Sequence, residues 1–256
     1  MAKTSRSAST APRSEPRAVP RGVPRGVPRG VIWDVDGTLI DSADAHVASW
    51  REVFAREGYP AIERETFDRW FGRRTTDVLR EHFGPAVAET ELLRIGGVKE
   101  AHYREALEAV GVEPLPGVVV WLDFLAELGW RLGVGSSAPI ANLNLILDVS
   151  GLALHFDAVV SQDDVRRGKP DPEVFLTAAS RLEVDPSRAI VVEDAAAGII
   201  AAHRAGMRTV GVGPYHATLG AMVSVATLVD LPEDTFDLLL NEPVPEMDVS
   251  SPTTTG

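Results

Sequence analysis

Two aspartates spaced i and i+2, Asp34 and Asp36, follow the apolar run Val31-Ile32-Trp33, and Gly37 comes at once after them. On a β-strand, residues two apart face the same side, so both carboxylates would sit together at the strand's carboxyl end. In parallel α/β sheets that end is where ligands bind. Adjacent carboxylates repel each other and need a cation, a shared proton or divided roles. The spacing therefore suits a Mg²⁺ site in which one carboxylate is a nucleophile and the other an acid/base.

Three further segments could complete such a site. Val134-Gly135-Ser136-Ser137-Ala138-Pro139 ends a predicted strand with two hydroxyls. A hydroxyl there can donate to a phosphate oxygen, and the helix that follows offers free N–H groups. Arg167-Gly168-Lys169-Pro170-Asp171-Pro172 holds a lysine between a glycine and a proline, so its ammonium can be aimed at charge that shifts during phosphoryl transfer. Ile190-Val191-Val192-Glu193-Asp194-Ala195 is an apolar run closed by two acids, with Gly198 soon after, and it would complete an oxygen cage for a divalent ion.

The elements that must hold these residues alternate. Strand-like runs occur at Val31–Val35, Arg131–Gly135, Ala158–Ser161, Ala189–Val192 and Thr209–Val212. Helical periodicity fits Val118–Leu128, Ile140–Val149, Pro172–Leu182 and Ala196–Ala205. That alternation predicts an α/β fold, a Rossmann-like parallel sheet with helices on both faces. Between the first strand and Val118 the texture is helical only: Ala45–Arg56, Glu63–Trp70, Thr75–His82 and Leu92–Val110. Residues 44–112 are therefore expected to form an inserted all-helical cap, with 31–43 and 113–240 as the core. Gly111 to Gly117, with Pro114 and Pro116, marks the return.

The pattern Asp34-Val35-Asp36-Gly37-Thr38 and the order of the four segments resemble the motifs of the haloacid dehalogenase-like phosphotransferases, over about residues 31–231. The helical insertion resembles that family's helical-cap subclass. Gly168-Lys169-Pro170-Asp171-Pro172 and Glu193-Asp194-Ala195 are similar to its β-phosphoglucomutase-like group. The resemblance implies that Asp34 attacks phosphorus to give an aspartyl-phosphate. Asp36, starting protonated, would serve the leaving oxygen and then activate water. Mg²⁺ would be held by Asp34, the Asp36 carbonyl and Asp194, with Glu193 as ligand or support. Ser136, Ser137 and Lys169 would fix the phosphoryl oxygens. His46 falls where the mutases carry a cap-hinge histidine.

In the cap the chain departs from the mutases, which hold a distal phosphate with a lysine before the glycine and an arginine further on. Here Phe71 precedes Gly72 and Thr75 occupies the later position, leaving Arg73 and Arg74 as candidate substrate cations. The expected activity is a Mg²⁺-dependent phosphatase acting on a small phosphorylated metabolite. A β-phosphoglucomutase-type mutase is the alternative.

Composition bounds the rest. Apolar residues make up 45 % of the 256, enough for a core, and no unbroken apolar span reaches membrane length. There is no cysteine, which excludes thiolate chemistry and fits a cytoplasmic location. The total charge is −12, yet residues 1–30 carry seven basic side chains against Glu15, so the remainder carries −18. An acidic body argues against nucleic-acid binding. The expected partner is a small-molecule phosphate ester, without a membrane, for a monomer. Residues 1–30 repeat Val-Pro-Arg-Gly three times and residues 241–256 are rich in Pro, Ser, Thr and acid; both are expected to be disordered.

Overall fold

Six strands, β1 (Gly30–Trp33), β2 (Arg131–Gly135), β3 (Ala158–Val160), β4 (Ala189–Glu193), β5 (Arg208–Gly211) and β6 (Val223–Ser224), form one sheet in the computed structural model, which describes residues 26–244. The strand order is β3-β2-β1-β4-β5-β6 and every pairing is parallel. The expectations for residues 1–25 and 245–256 lie outside the described residues.

Four helices follow β1: α1 (Ala43–Glu57), α2 (Arg64–Trp70), α3 (Thr75–Phe83) and α4 (Glu89–Val110). They bury their own cluster, which includes Trp50, Val53, Phe54, Phe67, Trp70, Leu79, Leu92 and Ile95. The chain then returns through α5 (Val118–Glu127), α6 (Ile140–Val149), α7 (Glu173–Arg181), α8 (Ala196–Arg204) and α9 (Thr235–Asn241). Period-two alternation along β1 divides the core between the two faces of the sheet. Val31, Trp33 and Val35 join a cluster covered by α5, α6 and α9, while Ile32 joins one covered by α7 and α8. The architecture is the expected α/β sheet with an inserted helical cap.

The structure adds to the sequence reading at three places. Arg29 and Gly30, assigned above to the basic extension, are part of the fold. Gly30 pairs with Arg131 and Ala189, and the Arg29 guanidinium lies 4.3 Å from the Trp130 ring centroid and pairs with Asp237. Asn241, assigned to the acidic tail, closes α9 and donates to the Asp237 carbonyl. Helix α4 belongs to both bodies: Leu92 and Ile95 pack in the cap cluster, whereas Tyr103 and Leu107 pack in the core cluster. No helix among the described residues is long and apolar enough to cross a membrane.

Sheet register positions the chemistry. Trp33 is level with Val134 on one side and Val192 on the other, so Asp34, Gly135 and Glu193 emerge side by side. The Asp34 N–H donates to the Val192 carbonyl (3.0 Å) and the Ser136 N–H to the Val160 carbonyl (3.0 Å), carrying the ladder one step past each strand. The loop after β1 turns tightly at Gly37, whose φ is +82°. The Leu115 N–H then donates to the Leu39 carbonyl (2.8 Å), tying the chain's return from the cap to the loop that carries both aspartates.

Candidate active site

Lys169 is the centre of the core side of the site. Its side chain is fully buried, and its ammonium lies 2.5 Å from Asp34 Oδ1 and 2.8 Å from Glu193 Oε1. Burial alone would discharge a lysine, but Asp34 and Glu193 more than offset that cost and hold its pKa above the usual lysine range. An ammonium has three donors, and these two bonds leave one for a phosphoryl oxygen.

The acids around it outnumber it. Among the described residues, Asp34, Glu193 and Asp194 each present an oxygen within 4.8 Å of the others. Burial, followed by the neighbouring charges of Glu193 and Asp36 and partly countered by Lys169, pushes Asp34 up to about 7. Burial with the Glu193 and Asp34 charges drives Asp194 well above the carboxylate range. A hard cation among these oxygens would remove that repulsion, and an all-oxygen donor set suits Mg²⁺. Glu193 Oε2 accepts from the Asp194 and Ala195 N–H groups (2.7 Å each), so Glu193 is the most heavily engaged of the three.

Two glycines make this packing possible. A Cβ on Gly37 would lie 1.9 Å from Asp194 Oδ2, and one on Gly198 would lie 1.8 Å from Glu193 Oε1. Gly198, soon after the second acidic strand end, thus has a physical reason: Glu193 folds back beneath α8.

Asp36 sits apart from the lysine, with different neighbours. Tyr103 donates its hydroxyl to Asp36 Oδ1 at 2.5 Å, and His46 Nε2 lies 3.3 Å from the same oxygen. Burial would raise the Asp36 pKa, but His46 and the Tyr103 hydroxyl more than compensate and hold it well below the usual carboxylate range. These neighbours favour the carboxylate form, so the proton expected on Asp36 needs a source. His46, on α1, stacks on Tyr103 with centroids 4.0 Å apart and receives Lys99 Nζ at Nδ1 (2.8 Å).

The cap lies over these groups. Asp34, Asp36, His46, Trp50, Phe67, Trp70, Phe71, Arg73, Thr75, Lys99, Glu100, Ser136 and Ser137 border one cavity of about 40 Å³. That is room for a few waters and not for a sugar phosphate, in a cleft that is narrow and partly open to solvent. Ser136 Oγ accepts from the Ala138 N–H (3.1 Å), which leaves its hydroxyl hydrogen free to donate. Ser137 differs from expectation, because its hydroxyl is given to the Gly72 carbonyl of the cap (2.9 Å).

The two arginines part company. Arg73 borders the cavity but pairs with Glu81 at 2.8 Å. Arg74, expected at the substrate, instead donates to the carbonyls of Gln162 (3.2 Å), Val165 (3.2 Å) and Arg166 (3.1 Å). It clamps the cap to the loop that leads into Lys169, because those carbonyls face it where α3 meets the core.

The sequence reading passed over Lys99, Glu100, Tyr103 and Asn142. Leu92, Ile95, Lys99, Tyr103 and Leu107 lie three or four apart on α4, so Lys99 interrupts an apolar stripe. That interruption was the available signal, and Lys99 is indeed 1 % exposed.

Known proteins resemble this one over nearly the whole described body. A family model described as haloacid dehalogenase-like hydrolase matches residues 31–212. The validoxylamine A 7'-phosphate phosphatase of Streptomyces hygroscopicus subsp. limoneus is 33 % identical over 204 residues, covering 79 % of this chain and 93 % of that protein. The fructose-1-phosphate phosphatase YqaB of Escherichia coli is 36 % identical over 188 residues, covering 71 % and 95 %. The crystal structure of β-phosphoglucomutase from Clostridium difficile superposes with a TM-score of 0.75 at 27 % identity, covering 84 % of this chain and 98 % of that one.

Proposed function

The chain belongs to the haloacid dehalogenase-like hydrolases and is a phosphoric monoester hydrolase, and from that premise we propose that it is a Mg²⁺-dependent phosphatase of small sugar or polyol phosphates working through an aspartyl-phosphate. The observation that carries this reading is the buried lysine bridging Asp34 and Glu193 beside Asp194, at adjacent strand ends beneath the cap.

Asp34 attacks phosphorus as the bond to the leaving oxygen breaks. Lys169 holds Asp34 in line and turns its remaining donor to the phosphoryl group, and Ser136 donates to another phosphoryl oxygen. Asp36 gives the leaving oxygen its proton. As a carboxylate at rest it must first gain that proton, from solvent or from the incoming ester, whose own second pKa is about 6. Asp36 then takes a proton from water as the water attacks phosphorus. The Asp34–phosphorus bond breaks, inorganic phosphate leaves and Asp36 is protonated again. Mg²⁺, held by Asp34, Asp194 and the Asp36 main-chain carbonyl, would neutralise phosphoryl charge and orient the group for in-line attack. Glu193 supports that set by holding Lys169 and the Asp194 backbone. The cap excludes bulk water during the phosphoenzyme's life.

A mutase must also hold a second, nearly dianionic phosphate with paired cations. Phe71 and Thr75 supply none, Arg74 is engaged on the core and Arg73 on Glu81, so hydrolysis is the better reading.

A panel of hexose, pentose and hexitol phosphates, read as released inorganic phosphate with and without Mg²⁺, tests the proposal. We expect release that depends on Mg²⁺ from at least one class. No release from any ester at any Mg²⁺ concentration overturns it.

A further inference from the structure

One carboxylate in the cavity wall takes no part in the chemistry above. Glu100, on α4, is 7 % exposed and borders the same cavity as Asp34. Glu100 Oε1 accepts from the Thr75 hydroxyl (2.5 Å) and from Lys99 (3.0 Å), and Oε2 accepts from Asn142 Nδ2 (2.7 Å). Burial opposes its charge, but Lys99, Thr75 and Asn142 hold it as a carboxylate. Lys99 and His46 stand between it and Asp36 in a chain of contacts, so it is set off from the reacting phosphorus.

The rest of that wall explains what such a charge does. Among the described residues that border the cavity, the lysine and arginine side chains are Arg73 and Lys99. Arg73 is paired with Glu81, and Lys99 is committed to His46 and Glu100. Trp50, Phe67, Trp70 and Phe71 add aromatic faces beside Val78 and Ala138. A leaving group lodged here meets aromatic faces, hydrogen-bond acceptors and the Lys99–Glu100 ion pair, whose ammonium is already committed. The C–H faces of a polyhydroxylated carbon skeleton suit aromatic rings, and its hydroxyls can donate to a carboxylate. A second phosphate or carboxylate would find the Arg73 and Lys99 cations already paired, and could recruit Lys99 only by leaving the buried Glu100 carboxylate without its partner.

We infer that Glu100 is a specificity-determining residue, which selects an uncharged polyol leaving group carrying a single phosphate and rejects substrates with a second anionic group. The inference rests on the phosphatase reading and narrows it.

Glu100→Gln alone is a poor test, because donors face both carboxylate oxygens and the new amide would turn its NH2 either to the Asn142 amide or to Lys99. Pairing it with Asn142→Asp reverses the hydrogen bond between the two side chains. The introduced amide would donate to the introduced carboxylate, which would still accept from Arg104, as Asn142 Oδ1 now does at 2.8 Å. The negative charge would thereby move from a residue bordering the cavity to one that is 0 % exposed and lies beside an arginine. The measurement is the ratio of kcat/KM for the best hexose monophosphate to that for the corresponding bisphosphate, in the unmodified protein and in the Glu100→Gln/Asn142→Asp variant. The unmodified protein should favour the monophosphate by roughly 100-fold, and the variant's ratio should fall by about tenfold or more. A variant that keeps the thermal stability of the parent and an unchanged ratio overturns the inference, as does an unmodified protein that turns over the bisphosphate equally well.

Acetyl phosphate, which has no distal group, separates the two failures. Mg²⁺-dependent turnover of acetyl phosphate and of sugar or polyol monophosphates, with no preference over the bisphosphate, overturns the inference and leaves the phosphatase reading standing. Inertness towards every ester and acetyl phosphate overturns both.

Discussion

The core wall of the cavity reaches the substrate from strand ends and loops, and the cap wall reaches it from helix faces. Behind the core wall, which Asp34 borders, Asp34, Glu193 and Asp194 are brought together at the ends of β1 and β4, and three acids face one lysine. Their charges are out of balance until a divalent cation joins them. On the cap wall, Lys99, Glu100, Thr75, His46 and Tyr103 are brought together across helices, and each polar group has a partner within the protein. The first arrangement is unfinished without its ion and phosphate. The second is already satisfied, so it shapes and selects. On the proposed reading, general phosphoryl chemistry and substrate choice are held by different kinds of structure, and each can be perturbed separately.

The largest effect should come from the core wall. Asp34→Asn keeps the shape of the side chain but removes the nucleophile, so kcat should fall by about 10³-fold or more and no phosphoenzyme should form. Turnover within tenfold of the unmodified protein, by phosphate release after rapid mixing, would assign the nucleophile elsewhere and dissolve the contrast between the walls.

The next effect is on the ion. Burial and the neighbouring acids raise Asp34 to about 7, whereas Mg²⁺ needs its carboxylate. Below that pH, binding must expel the Asp34 proton, and that of Asp194 wherever it is held, so the apparent Kd for Mg²⁺ should rise by about tenfold or more for each unit of acidification. The same sign holds for stability. In the metal-free protein, ionising Asp34 opposes folding as the pH rises from the ordinary aspartate range towards about 7, so the gain in Tm on adding Mg²⁺ should be larger at pH 8 than at pH 6. Titration calorimetry showing equal Mg²⁺ affinity at both pH values would refute the charge imbalance.

The smallest effect should come from the clamp between the walls. Arg74→Ala removes three hydrogen bonds to core carbonyls, and kcat/KM on a polyol phosphate should fall by about threefold to tenfold as closure weakens. Arg73→Ala, which loses one pair to a largely exposed Glu81, should change it less than twofold. If Arg73→Ala proves the more damaging, Arg73 is a substrate ligand and the cap wall carries a usable cation after all.

These differences also explain what could be read from the chain. Strands β1, β2, β4 and β5 lie within a residue or two of their apolar runs because a strand buried on both faces leaves a continuous apolar signature. The acids that close β1 and β4 stood out for the same reason, as charge placed abruptly after burial. The two-residue β6 and the short helix α9 left too brief a pattern to register. In the cap, Arg73 and Arg74 could not be told apart by sequence, since neighbours on one segment differ only in which wall they face. Glu100 and Asn142 are 42 positions apart, and each alone reads as an ordinary polar residue on a helix. Their meaning depends on α4 crossing α6, a tertiary contact that no local pattern encodes.

The place of β1 in the sheet has a consequence for how the molecule is made. Among the described residues it is the first strand but an interior strand of the sheet, between β2, which begins at Arg131, and β4, which begins at Ala189. A ribosome delivering residues in order releases the apolar Val31–Trp33 segment long before either neighbour exists to cover it. At about 5–20 residues per second, several seconds pass before β4 emerges. The helical cap, whose contacts are shorter in range, can collapse in that interval, while the sheet waits for long-range closure. Nascent chains stalled before Glu193 should hold both aspartates and yet lack a working centre, so premature release yields inert protein rather than an unregulated phosphatase.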